Sequence, residues 1–175
     1  MRSVKIAAKT AAVGLAALLS LLVGTPAYAG SAYVYSYTGI DYCATVIESL
    51  KPGEQTSRVR QATCGADSAA VMSRLGLVAS STLLMQWWDN ANYACCYYTE
   101  IYGYDGPCDQ FGYAISSIGG FWNDRISSWQ VFNSCDNTWA FEHENYAGDN
   151  QGYYGSVSYC GGYMNDRISS FKIFR

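Results

Sequence analysis

Apolar and polar positions along this 175-residue chain fall into three regimes. The first is an unbroken apolar run from Ala11 to Gly24, preceded by Arg2, Lys5 and Lys9 and followed by Ala27-Tyr28-Ala29. At roughly 14 residues it is short of the ~20 that span a bilayer. A positive start, an apolar middle and a small-x-small end predict a secretory signal peptide over 1–29, cleaved after Ala29. The second regime, 30–81, mixes patterns. Residues 33–37 and 57–63 alternate as strands do, with a turn at Lys51-Pro52-Gly53-Glu54 between them. Asp67 or Ser68 can cap a short helix that runs through Leu75 and ends at Gly76. The third regime, 82–175, is a series of short apolar runs at 83–88, 113–118, 129–132, 139–142 and 171–174, bounded by Gly, Asn, Asp and Ser. Strands at this spacing, with no long helical periodicity, predict a β-sandwich or barrel.

The third regime also repeats itself. Shifted by 42 positions, Gly119-Gly120 falls on Gly161-Gly162, Phe121 on Tyr163, and Asn-Asp-Arg-Ile-Ser-Ser at 123–128 on the same hexapeptide at 165–170. Trp129 then falls on Phe171 and Phe132 on Phe174. Upstream, a shift of 53 places Trp88 to Ala94 on Phe141 to Ala147. The two shifts differ, so the first repeat carries an insertion, expected within 95–108 where Gly103, Gly106 and Pro107 mark an excursion. The repeats span 82–132 and 133–175.

Composition narrows the function. Formal net charge is -3, and without Arg2, Lys5 and Lys9 the remainder holds 8 basic against 14 acidic residues. An acidic chain lacks the basic patch that phosphate contacts need, so nucleic acid is not an expected partner. No later segment looks membrane-spanning. The 16 tyrosines suit half-buried sheet faces. All seven cysteines follow the leader, which fits an oxidising compartment. With one His in the chain and adjacent Cys95 and Cys96, no zinc spacing is present. Cys43 is expected to pair with Cys64, and Cys95 or Cys96 with Cys108 to pin the insertion. Cys135 and Cys160 could pair within the second repeat, and an odd count leaves one thiol over.

Two repeats of about 45 residues, each with aromatic-x4-aromatic early and Asn-Asp-x-x-Ser-Ser late, resemble the βγ-crystallin Greek-key family. The second repeat carries the full early motif in Phe141, Tyr146 and Gly148; the first has Trp88 and Tyr93, with Cys95 where the motif has Gly. The resemblance covers 82–175. It implies a mainly β, double Greek-key β-sandwich with 30–81 as a small N-terminal α+β extension of unassigned role. It further implies two reciprocal calcium sites, each drawing oxygens from both late loops. Side-chain ligands would be Asn123 or Asp124 with Ser127, and Asn165 or Asp166 with Ser169. Carbonyl ligands would come from Arg125 and Arg167, and from Asp89 and Glu142. Short oxygen donors of this kind suit calcium, which takes six to eight oxygens at about 2.3–2.6 Å. Ser128 and Ser170 are expected to bond back to the folded hairpins.

Taken alone, such a hexapeptide could equally be an Asx-type turn between strands. Arg125 and Arg167 are expected to face solvent, and Trp87, Trp88 and Trp122 to pack in core or hairpin. His143 stands without nucleophile or orienting acid, so no catalysis is expected. The expectation is therefore a secreted, extracellular, monomeric protein that calcium stabilises, in a structural or binding role. On the same scaffold, similar proteins include secreted actinobacterial metalloproteinase inhibitors, so an extracellular protease is an alternative partner. A small secreted antimicrobial toxin is a third possibility.

Overall fold

The structure is a computed structural model that describes residues 42–76, 81–94 and 96–175. The leader expected over 1–29 and the strand expected at 33–37 lie outside these. Among the described residues, nine strands form two sheets and one α-helix packs on them. In chain order they are β1 (Tyr42–Ile47), β2 (Val59–Gly65), α1 (Ser68–Leu75), β3 (Thr82–Trp88), β4 (Tyr98–Gly103), β5 (Tyr113–Ile115), β6 (Ser128–Val131), β7 (Asn137–Phe141), β8 (Asn150–Tyr154) and β9 (Ser170–Phe174). The expected mainly β sandwich is what forms. The first sheet has the order β2-β1-β4-β3-β6 and the second β5-β9-β7-β8.

The two repeats exchange their third strands. β5, from the first repeat, pairs antiparallel with β9 of the second through Tyr113–Ile173, Ala114–Lys172 and Ile115–Phe171. In return Val157 of the second repeat bridges to Trp129 on β6. Each sheet thus contains chain from both repeats, and the facing sides close over one core. Trp129 and Phe171, matched positions of the repeat, are fully buried with ring centroids 5.5 Å apart. Trp87 stacks on Phe171 at 5.7 Å and Trp122 is buried beside Trp87.

Residues 42–76 are part of this architecture. β1 lies parallel to β4, with Tyr42 opposite Tyr98 and Ile47 opposite Gly103, and is buried along its whole length. One face packs on the sandwich core through Ile47; the other is roofed by Val71 and Leu75 of α1. The helix is built as its sequence predicts. The Asp67 side chain accepts from Ala70 N–H at 2.8 Å, and Gly76 ends the helix in a left-handed conformation. The Glu100 carboxylate on β4 accepts from Tyr42 at 2.5 Å, Tyr102 at 2.6 Å and Gln86 at 2.5 Å, tying three strands together under the helix. Cys43 and Cys64 are bonded, as expected, across β1 and β2.

Two expectations are corrected. The insertion does not fill 95–108, because 98–103 is β4, whose residues alternate between half-buried and buried. The extra chain is the loop 104–112, where the second repeat passes from β8 to Val157 almost at once. That loop is pinned, but Cys108 bonds Cys135 rather than Cys95 or Cys96. The Cys108 N–H donates to Asn133 O at 3.0 Å, which brings the loop against the start of the second repeat. Cys135 is therefore not paired with Cys160, a free buried thiol whose pKa burial pushes up to about 11. Cys96 is disulfide-bonded.

Candidate metal centre

Each repeat folds its early motif into a tight hairpin. Asn92 and Tyr93 have φ of 59° and 57°, and their counterparts Asn145 and Tyr146 have 58° and 62°. Left-handed backbone at non-glycine residues needs outside support. The last serine of each hexapeptide supplies it. Ser128 Oγ donates to Asn90 O at 2.5 Å and accepts from Tyr93 N–H at 3.1 Å. Ser170 Oγ donates to His143 O at 2.7 Å and accepts from Tyr146 N–H at 3.1 Å. This is the latch role expected of both serines. Gly148 (φ 74°) sits where a Cβ would lie 2.8 Å from the His143 ring, so its motif glycine is sterically required.

The two hexapeptide loops are joined to the hairpins and to each other. Ser127 N–H donates to Trp88 O at 3.0 Å, and Ser169 N–H to Phe141 O at 2.9 Å. Across the repeats, Ile118 N–H donates to Ser169 O at 3.1 Å and Cys160 N–H to Ser127 O at 2.9 Å. Asp124 N–H reaches Ile168 O at 3.1 Å. Asp124 and Asp166, the second residue of each hexapeptide, have φ of 59° and 55°. Asn123 and Asn165 each donate to the following aspartate at 2.7 Å.

Oxygens converge where the resemblance places a site. Ser169 Oγ donates to Glu142 O at 2.6 Å, and Asp124 Oδ1 lies 3.4 Å from the same hydroxyl. Oxygens bound side by side to one ion at about 2.4 Å stand roughly 3 Å apart, and the Ser169 hydroxyl lies near that spacing from both the Asp124 carboxylate and the Glu142 carbonyl. They open on a cleft of about 530 Å³ that Asn123, Asp124, Glu142, Asp166, Arg167 and Ser169 line. Between the two leading positions of the first loop, the aspartate is the one directed at the serine of the other repeat. The repeat relation puts Asp166, Ser127 and Asp89 in the matching places. Asn165 Oδ1 is buried without a hydrogen-bond partner. Among the described residues no three His, Cys, Asp or Glu side chains gather as a metal cluster. The donor set mixes carboxylate, hydroxyl and carbonyl, which suits a hard cation and not zinc.

Arg125 and Arg167 keep 39% and 35% of their side chains exposed, and each is also paired with an acid. Arg167 Nη2 meets Glu142 Oε1 at 2.6 Å and Asp149 Oδ2 at 3.0 Å. Arg125 Nη2 lies 3.3 Å from Asp89 Oδ2. Arg167 draws the Glu142 carboxyl below its ordinary pKa, helped by the Asp149 N–H. At Asp89 burial wins over Arg125, and its pKa is raised. His143 is exposed, 3.8 Å from Glu142 Oε2.

No protein-family model matches the chain, and no curated protein matches it. Solved structures do. A betagamma-crystallin domain from Clostridium beijerinckii is similar at 18% identity over 52% of this chain and 97% of its own, with a TM-score of 0.40. One from Flavobacterium johnsoniae is similar at 15% identity, over 52% and 93%, with a TM-score of 0.39. The N-terminal domain of protein S gives 16%, 52%, 94% and 0.40. Within this chain, the exchanged third strands, the two latched hairpins and the paired hexapeptide loops make a double Greek-key β-sandwich.

Proposed function

We propose that this is a secreted protein whose double Greek key binds calcium, and that calcium serves mainly to stabilise it. The observation that carries the reading is the convergence of Asp124 Oδ1, Ser169 Oγ and Glu142 O at the junction of the repeats. Asp166, Ser127 and Asp89 O form the partner site, with the Arg125 and Arg167 carbonyls as further donors. Asn123 and Asn165 steady the aspartates. Two disulfides among the described residues favour an extracellular setting. So does the leader pattern, and no helix among those residues is long and apolar enough to cross a membrane. One carboxylate per site implies modest affinity, with dissociation constants on the order of 10⁻⁶ to 10⁻³ M. Binding to the native state alone adds about 2.7 kcal/mol at a hundredfold excess over Kd. The inhibitor and toxin alternatives have one structural candidate, the loop 104–112, which Cys108–Cys135 holds and which exposes Phe111. Nothing about that loop names a target.

Thermal melting of the mature protein with calcium and with chelator tests the reading. The midpoint rises with calcium, and the rise disappears in Asp124→Gly/Asp166→Gly. Glycine keeps the left-handed backbone and removes only the carboxylates. Calorimetry on metal-stripped wild type that gives no heat with millimolar calcium would overturn it.

A further inference from the structure

The two arginines of the hexapeptides are placed alike. Arg125 lies over the Phe121 ring at 4.3 Å and reaches Asp89; Arg167 lies over the Tyr163 ring at 5.4 Å and reaches Glu142. Phe121 and Tyr163 are matched residues of the repeat, as are Asp89 and Glu142. Each arginine thus rests on the aromatic four residues before it and crosses to the acid that follows the first hairpin aromatic. The same three-part strut, built twice around the same arginine with a different aromatic and a different acid, is a feature of the design and not of one surface contact. In the second repeat it is more extensive. Arg167 Nη1 donates to Tyr163 O at 2.8 Å, and Nη2 also holds Asp149 beyond the hairpin.

The acid it holds is the residue whose carbonyl faces the cleft. Glu142 O accepts from Ser169 Oγ, while the Glu142 carboxylate is occupied by Arg167 at one oxygen and by Asp149 N–H, at 3.2 Å, at the other. Arg167 itself lines the cleft with Asp124 and Ser169.

We propose that Arg167 is a built-in brake on cation binding: it braces the hairpin against the loop in the metal-free protein, and it withholds the Glu142 carboxylate while adding positive charge beside the site. Arg125 does the same through Asp89 in the first repeat. This rests on the calcium reading and states how that site is tuned. The metal-free fold is consequently preorganised, and calcium affinity is lower than the loops' oxygens would otherwise give. Like charge beside a divalent ion weakens its binding, and a freed carboxylate strengthens it.

Calorimetric calcium titration of wild type, Arg167→Gln, Arg167→Lys and Glu142→Gln/Arg167→Gln tests the proposal, with melting in chelator alongside. Arg167→Gln binds roughly tenfold more tightly and melts lower in chelator. Lysine keeps the charge without the planar fork, so Arg167→Lys gains less affinity than Arg167→Gln. Glu142→Gln/Arg167→Gln loses part of the gain, because the freed carboxylate is gone. A purely bracing arginine would lower the chelator midpoint and leave affinity unchanged or weaker; that result overturns the proposal while calcium binding stands. If wild type itself takes up no calcium, the site reading and the brake fail together.

Discussion

The two Greek keys share a hairpin, a latch serine and a hexapeptide loop, yet they live in different surroundings. The first key's sheet is widened by β1 and β2 and roofed by α1, so β4 is covered on its far side. The second key's sheet ends at β8, and its outer face shows Trp139 at 45% and Tyr154 at 79% exposure. None of these additions enters the oxygen cluster. The site is built from what the repeats have in common. The two acids differ in depth: Asp89 has 13% of its side chain exposed and Glu142 has 24%.

The largest expected effect tests whether the keys share a core despite that asymmetry. Trp129 on β6 is fully buried, edge-on to Tyr153 at 4.8 Å and to Phe171 at 5.5 Å, both in the second repeat. Trp129→Ala should cost about 3–5 kcal/mol and should lower the guanidinium midpoint of the whole molecule in one transition. Trp139→Ala, on the open face, should stay within about 0.5 kcal/mol of wild type. Two resolved unfolding phases in Trp129→Ala would mean that the keys unfold separately, and the shared core would be wrong.

A smaller effect sharpens the comparison at the hairpins. Ser128→Ala and Ser170→Ala each leave a tyrosine N–H and a hairpin carbonyl without their partner, at a cost of about 1–3 kcal/mol. The latches are geometrically alike, so the two losses should agree within about 0.5 kcal/mol. A much smaller loss in Ser128→Ala would show that the first key's added strands also hold its hairpin, which the contacts give no reason to expect.

How much of this was legible beforehand follows from the physics of each signal. The helix announced itself through Asp67 and Gly76, because capping is local chemistry. The strands β3, β5, β6, β7 and β9 were found because apolar runs between turn residues are local too. β1 was missed because both of its faces are covered, so Tyr42 to Ile47 shows no alternation to detect. β4 does alternate, but it lies close after Cys95-Cys96, ends on Gly103 and is followed by Gly106, and those turn signals made it look like an excursion. β8 is an edge strand with Gly152 at its centre and little apolar content. The oxygen cluster was legible because a duplicated hexapeptide survives without any knowledge of contacts. The arginine struts were not, since what Arg167 touches at Glu142 lies 25 residues away and only the folded chain brings them together. Disulfide partners for Cys108 and Cys135 were hidden for the same reason.

The smallest expected effect is the pH response, where the two keys should differ in sign. Glu142 has its pKa lowered, chiefly by the Arg167 hydrogen bond. An acid of that kind adds stability above the ordinary glutamate range, and the contribution is lost as pH falls through the lowered value. Glu142→Gln should therefore lower the melting midpoint at neutral pH and flatten the acid side of the curve. Asp89 has its pKa raised, chiefly by burial, with Arg125 offsetting only part. Its contribution is complete below the ordinary aspartate value and is lost as pH rises through the raised one. Asp89→Asn should accordingly raise the midpoint slightly at neutral pH and leave it unchanged at strongly acid pH. Melts in chelator between about pH 3 and pH 7 cover both windows and keep metal out of the comparison. If the two substitutions shift the neutral-pH midpoint in the same direction, burial of Asp89 does not outweigh its pairing with Arg125.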